Sequence, residues 1–229
     1  MGGSLTGRGV AAGVALWVVA AVWYFLAEGL AAAAVPGYDY VVHFVSGLGA
    51  PEVSPRAALM NAAFVVQGLF FTAASILVVG TVGARKSLPF LVFAALTGVG
   101  NVLVGVIHAG LGSTWHLAGA VLVVAGGSAA ILAGTAVLRR EIASTTYLLA
   151  SVALGATGLF SGTMLAMHAL PIGLWERGGI YPILVWQMVT AYVVWRRAST
   201  VRPGVRGASD STNPTRLPSG TFAVGDGSD

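Results

Sequence analysis

The sequence predicts an all-α fold: a polytopic integral membrane bundle of six transmembrane helices, with both termini in the cytoplasm. Three observations carry this reading. Hydrophobic residues fill 56% of the 229 positions and Asp, Glu, Lys and Arg together only 9%, with a mean hydropathy of +0.84, whereas a soluble domain carries about 25% charged residues. The apolar residues fall in stretches close to the roughly 20 needed to cross a ~30 Å hydrocarbon core. The basic residues stand in pairs between those stretches, so the formal charge of +4 and pI of 9.9 express membrane topology rather than nucleic-acid binding. The chain has no cysteine, which excludes disulfides, iron-sulfur clusters and thiol catalysis.

Residues 1–10 form a cytoplasmic N-terminus. The first apolar segment runs from Ala11 to Val35, long enough to cross with some tilt. Arg8 resembles the n-region of a signal peptide, but the stretch exceeds an h-region of about 7 to 15 residues and further spans follow, so it reads as a retained helix. An external segment occupies residues 36–57. Its Tyr38 to Leu48 portion is apolar and aromatic with polar residues at intervals, the pattern of a short interfacial or re-entrant helix that Gly47, Gly49 and Pro51 would end.

The remaining spans are Ala58 to Val79, Pro89 to Ala109, Thr114 to Leu138, Thr145 to His168 and Gly179 to Trp195. The stretch PIGLWERGGIYP at 171–182, with its turn formers, reads as a loop before the last span. Residues 198–229, rich in Gly, Pro, Ser and Thr, read as a disordered cytoplasmic tail. Glycines inside the spans, such as Gly98, Gly100 and Gly105, suit close helix packing.

Arg8, Arg85, Lys86, Arg139, Arg140, Arg196 and Arg197 all fall on one side of this arrangement, against Arg56 and Arg177 on the other. The positive-inside rule then places both termini in the cytoplasm of a cell-membrane protein. All four histidines, His43, His108, His116 and His168, map to the outward side, with Glu28, Asp39, Ser46, Glu52, Arg56, Glu176 and Arg177. Several segments thus converge on one external mouth, where a site is to be sought.

Asp39 and His43 are four apart and would share a helix face. Asn101, Gly105 and His108 form a stripe in the third span, and Thr157, Ser161 and His168 a line in the fifth. Such lines serve either as interhelical glue or as a ligand path. Gln67 and Gln187 read as helix-association residues. Glu28, in an otherwise apolar helix, calls for a cation, and Arg56 and Arg177 are the outward candidates; an ion pair is the first explanation, and anion or lipid-headgroup binding the second. Imidazoles accompanied by carboxylates have ligand chemistry for zinc. An alternative metal set is therefore drawn from His43, His108, His116, His168, Asp39 and Glu28, although no spacing matches a metal motif.

The order Tyr38, Asp39, Tyr40, His43, Ser46, Gly47, Leu48, Gly49, Ala50, followed by a helix near Asn61, resembles the DUF998 family of multi-pass membrane proteins. The runs Trp115-His116-Leu117-Ala118-Gly119 and Trp175-Glu176-Arg177-Gly178, and a closing helix with Pro182 and Trp186, extend the resemblance over roughly residues 10 to 197. Gly47 stands where the family often carries Asp or Glu. The resemblance implies a compact six-helix membrane protein, with a more distant likeness to Frag1/DRAM/Sfk1-type proteins, and supplies no reaction.

Three function classes follow. The leading one is a non-enzymatic membrane protein whose outward polar site, drawn from Glu28, Asp39, His43, Arg56, Asn101, His108, His116, His168, Glu176 and Arg177, binds a lipid, small ligand or partner without a cofactor. The second is an intramembrane hydrolase, zinc-dependent or using a His-carboxylate pair, acting on a lipid or envelope precursor. The third is a small-solute or proton-coupled transporter. The expected partners are membrane lipids and a second copy or another membrane protein, and not nucleic acid.

Overall fold

A computed structural model describes residues 7–80 and 84–200. Its six long helices are α1 (Arg8–Ala32), α2 (Ala57–Val79), α3 (Ala84–Val106), α4 (Thr114–Ile142), α5 (Thr145–Ala166) and α6 (Ile172–Thr200). All six are long and apolar enough to cross a membrane, and the described residues contain no strand. Residues 201–229 of the predicted tail lie outside the described residues, as do residues 1–6.

Four of the five connections are short, and α2 packs back along α1 across the longer 33–56 segment, so successive helices run antiparallel. α1 packs on α2 and α6, α2 on α3, α3 on α4, and α5 on α4 and α6. At one end stand Arg8, Lys86, Arg139, Arg140, Arg196 and Arg197; we call this the basic end. The opposite, polar end gathers the α1–α2, α3–α4 and α5–α6 connections, and with them all four histidines.

Two interior devices hold the bundle. Trp17 of α1 lies edge-on to Trp186 of α6 at 5.7 Å and near Phe71 of α2 at 6.4 Å, all fully buried. Beside them Gln67 donates to Gln187 Oε1 at 2.9 Å, and Gln187 donates to the Trp17 carbonyl at 2.9 Å. Each such bond contributes about 0.6 to 2 kcal/mol in a bilayer. Gln67 and Gln187 thus tie three helices together, as their sequence context predicts. Between α3 and α4 the backbones touch: a Cβ on Gly100 would lie 2.6 Å from the Gly119 carbonyl oxygen.

α4 is not uniform. Thr114–Val121 and Gly127–Ile142 are α-helical, and a π-helical turn, Leu122–Gly126, joins them. The Gly127–Ile142 half packs on α5, but the Thr114–Val121 half leaves α5 and leans on α3. α5 is accordingly the least enclosed helix, burying 22% of its most apolar window against 56% for α4 and α6.

The structure corrects two expectations. The Tyr38 to Leu48 segment is not a helix; it is an irregular strap with one 3₁₀ turn, Ser46–Gly49. The 171–182 stretch is not a loop, because α6 begins at Ile172 and runs through Pro182. Both have one cause, which the polar end reveals.

Candidate functional site

Arg177, in the second turn of α6, is the hub of a buried clasp. Its Nε donates to Glu28 Oε1 at 2.9 Å, in an ion pair whose side chains are 6% and 2% exposed. Nη1 donates to the Tyr40 carbonyl at 2.6 Å and the His43 carbonyl at 2.8 Å, and Nη2 to the Tyr38 hydroxyl at 2.6 Å. The guanidinium also lies 4.7 Å from the Tyr40 ring centroid, within cation-π range. Tyr181 donates its hydroxyl to both Glu28 oxygens at 3.0 Å. Burial pushes the Tyr38 phenol up to about 12 although Arg177 pulls it down. It therefore stays protonated at neutral pH and donates to the Phe44 carbonyl at 2.9 Å while accepting from Arg177.

This clasp explains the strap. Glu176 accepts hydrogen bonds from the Val45 and Ser46 amides, and Leu174 donates its amide to the Val41 carbonyl at 2.9 Å. The strap's backbone groups thus bond to the start of α6, where an internal helix would have used them itself. Gly173 permits the approach, since a Cβ there would lie 2.4 Å from the His43 carbonyl oxygen. The glycines of 171–182, read as turn formers, instead let the strap and neighbouring helices come close.

A cleft opens beside the clasp where α4 and α5 part. A vestibule of about 420 Å³ lies at the polar end, where Ser46, Ser113, Thr114, His116, His168 and Glu176 stand among apolar residues such as Phe44 and Ile172. A groove of about 600 Å³ runs from it along α4 and α5, lined mainly by apolar residues such as Val121, Val124, Leu159 and Ala166. The two share Leu117, Ala120, Leu165 and His168. A small chamber of about 30 Å³ reaches inward to Asn101 and is also bordered by Glu176. His116 Nδ1 lies 2.6 Å from the Ile107 carbonyl oxygen. A carbonyl only accepts, so Nδ1 carries the proton and, in the neutral ring, Nε2 keeps its lone pair.

The predicted residues therefore separate. His116, His168, Glu176 and Asn101 border the cleft. Glu28 and Arg177 form the clasp, the ion pair expected for Glu28. Asp39 and His43 do bond, but through the Asp39 amide donating to His43 Nδ1 at 2.9 Å, and both are exposed on the strap. Arg56 is exposed and donates to the Leu30 carbonyl at 3.1 Å, closing the C-terminal end of α1 where carbonyls lack helical partners. His108 lies beyond the end of α3, so the Asn101 stripe stops at Gly105; its Nδ1 is buried without a hydrogen-bond partner. Thr157 is exposed while Ser161 is buried, and His168 lies beyond the end of α5 with a positive φ, so the fifth-span residues do not form one continuous polar line.

Among the described residues no three of His, Asp and Glu gather as a metal-holding group. Glu28 is bonded to Arg177 and Tyr181, whereas His43 and His116 each bond to backbone through one ring nitrogen. Sequence reasoning missed Tyr38 and Gly173 as members of the clasp and the apolar groove altogether. The aromatic cluster around Asp39 is the one signal that pointed towards Tyr38.

Six membrane-length helices, a sealed ionic clasp and a lateral cleft define a multi-pass membrane protein. The chain belongs to the DUF998 family, described as proteins of unknown function, whose pattern matches residues 18–193. No curated protein and no solved structure matches the chain.

Proposed function

We propose that this is a cell-membrane protein with both termini in the cytoplasm that binds a membrane lipid in the cleft between α4 and α5. The observation that carries the reading is the continuity of a mainly apolar groove, flanked by two membrane-length helices, with a vestibule at the helix ends where polar side chains, Glu176 and His116 among them, join the lining. Both volumes fall in the range of about 300 to 1,000 Å³ typical of small-ligand sites. An acyl chain suits the groove and a headgroup the vestibule. Orientation rests on the basic end being cytoplasmic, which turns the vestibule outward. With Arg177 held inside the clasp, Arg56 is the one arginine left at the polar end to oppose that bias.

Native mass spectrometry of the purified full chain tests the reading. One tightly retained lipid per chain is expected, and Ala166→Trp, which fills the groove from an exposed position, is expected to remove it while leaving the thermal transition in place. Absence of retained or added lipid on the parent protein would overturn it. A reporter fused after residue 205 should behave as cytoplasmic and a tag inserted near residue 52 as external; the reverse result would turn the vestibule inward.

A further inference from the structure

We infer that the lipid headgroup taken by this vestibule carries a primary amine, as in the ethanolamine phospholipids. The inference rests on the lipid-binding reading and adds what the site selects.

The vestibule lining contains one carboxylate, Glu176, and no lysine or arginine. Glu176 is only 7% exposed. Its hydrogen bonds come from the Val45 and Ser46 amides and the Ser46 side chain, which leaves acceptor capacity on a group with about four lone-pair sites. The adjacent Arg177 does not neutralise it through contact, because that guanidinium is turned to Glu28 and the strap. A buried carboxylate that contacts no cation is costly, and a ligand cation in the adjoining cavity relieves that cost.

The second polar group agrees. With Nδ1–H bonded to the Ile107 carbonyl, neutral His116 has an acceptor, Nε2, as its remaining polar atom. The vestibule thus offers a carboxylate and an imidazole lone pair, and an ammonium supplies three N–H donors and a positive charge. An anionic headgroup meets the Glu176 charge with no opposing side chain in the lining. The phosphate of a zwitterionic headgroup has a compatible neighbour in Ser113 and Thr114 at the start of α4, where the helix dipole favours negative charge.

The test uses the full chain in detergent, titrated by native mass spectrometry with phosphatidylethanolamine, phosphatidylglycerol of the same acyl chains, and free ethanolamine. The ethanolamine lipid is expected to bind at least about tenfold more tightly than the glycerol lipid, a factor that corresponds to about 1.4 kcal/mol. Glu176→Gln keeps a carbonyl oxygen for the strap amides and is expected to bring the two lipids level. Thr114→Lys, at an exposed lining position, leaves Glu176 and its strap bonds untouched and is expected to shift preference towards the glycerol lipid. Equal binding of both lipids to the parent protein, or a preference that survives Glu176→Gln, would overturn the amine assignment while leaving lipid binding standing. Failure of every lipid to bind would instead overturn the lipid reading. Protection by free ethanolamine alone would assign the vestibule to soluble amines and overturn the lipid source.

Discussion

The clasp and the cleft sit side by side at the polar end and share a helix turn, yet they are opposites. At the clasp, Arg177 is surrounded by Glu28, Tyr38 and two strap carbonyls, and Tyr181 completes Glu28. In the cleft, Glu176 is buried beside open volume and is held by the Val45 and Ser46 amides and the Ser46 side chain, with no cation in contact. Adjacent residues of one helix thus perform different work. A buried charge with its partners in place fixes architecture; a buried charge bordering a cavity is available for chemistry. Having an ionisable residue in a membrane helix does not separate the two, and counting its partners does.

The contrast breaks most severely at Arg177. Arg177→Met leaves the Glu28 carboxylate buried without its cation and should cost about 3 to 5 kcal/mol, read as a large drop in the thermal transition of the detergent-solubilised protein. Tyr38→Phe removes one hydroxyl between Arg177 and the Phe44 carbonyl. A loss of about 1.5 to 3 kcal/mol is expected for bonds to a charged group, in the same assay. At the cleft the order of sensitivities inverts. His168→Asn, chosen because the residue has φ of 54° and Asn tolerates that region, should change stability by no more than about 0.5 kcal/mol, yet weaken lipid retention in native mass spectrometry. A chelator should leave both thermal stability and lipid retention unchanged; a loss of either would favour the zinc reading.

The spans were legible because bilayer thickness imposes a length and composition that hydropathy reports directly. Glu28 was legible as a residue in need of a cation for the same reason. The strap and the start of α6 were not. Tyr38 to Leu48 has the composition of an interfacial helix, but its backbone bonds to residues of α6, with Val45 and Glu176 131 positions apart, and local periodicity holds no trace of such a partner. Gly173, Gly178 and Gly179 look like chain breakers, yet in α6 they sit within a continuous helix, where the missing side chains make room. The cleft was hidden for another reason: it is a separation between α4 and α5, and a separation has no residue pattern of its own. His116 and His168 were on the candidate roster without the groove that joins them.

The π-helical turn at Leu122–Gly126 has a consequence for register. A π turn holds one residue more than the α turn it replaces, so the extra residue is absorbed within the turn and Thr114–Val121 keeps its phase relative to Gly127–Ile142. Deleting one residue there, Val123 for example, should convert it to α-helix and leave Leu117 and Ala120 on the groove wall and Gly119 against Gly100. The same deletion in regular α-helix, at Ala129 for example, has no such slack: each residue rotates the chain by about 100°, and the groove wall would turn away by that amount. One missing residue is thus expected to spare the cleft inside the π turn and to dismantle it a turn further on.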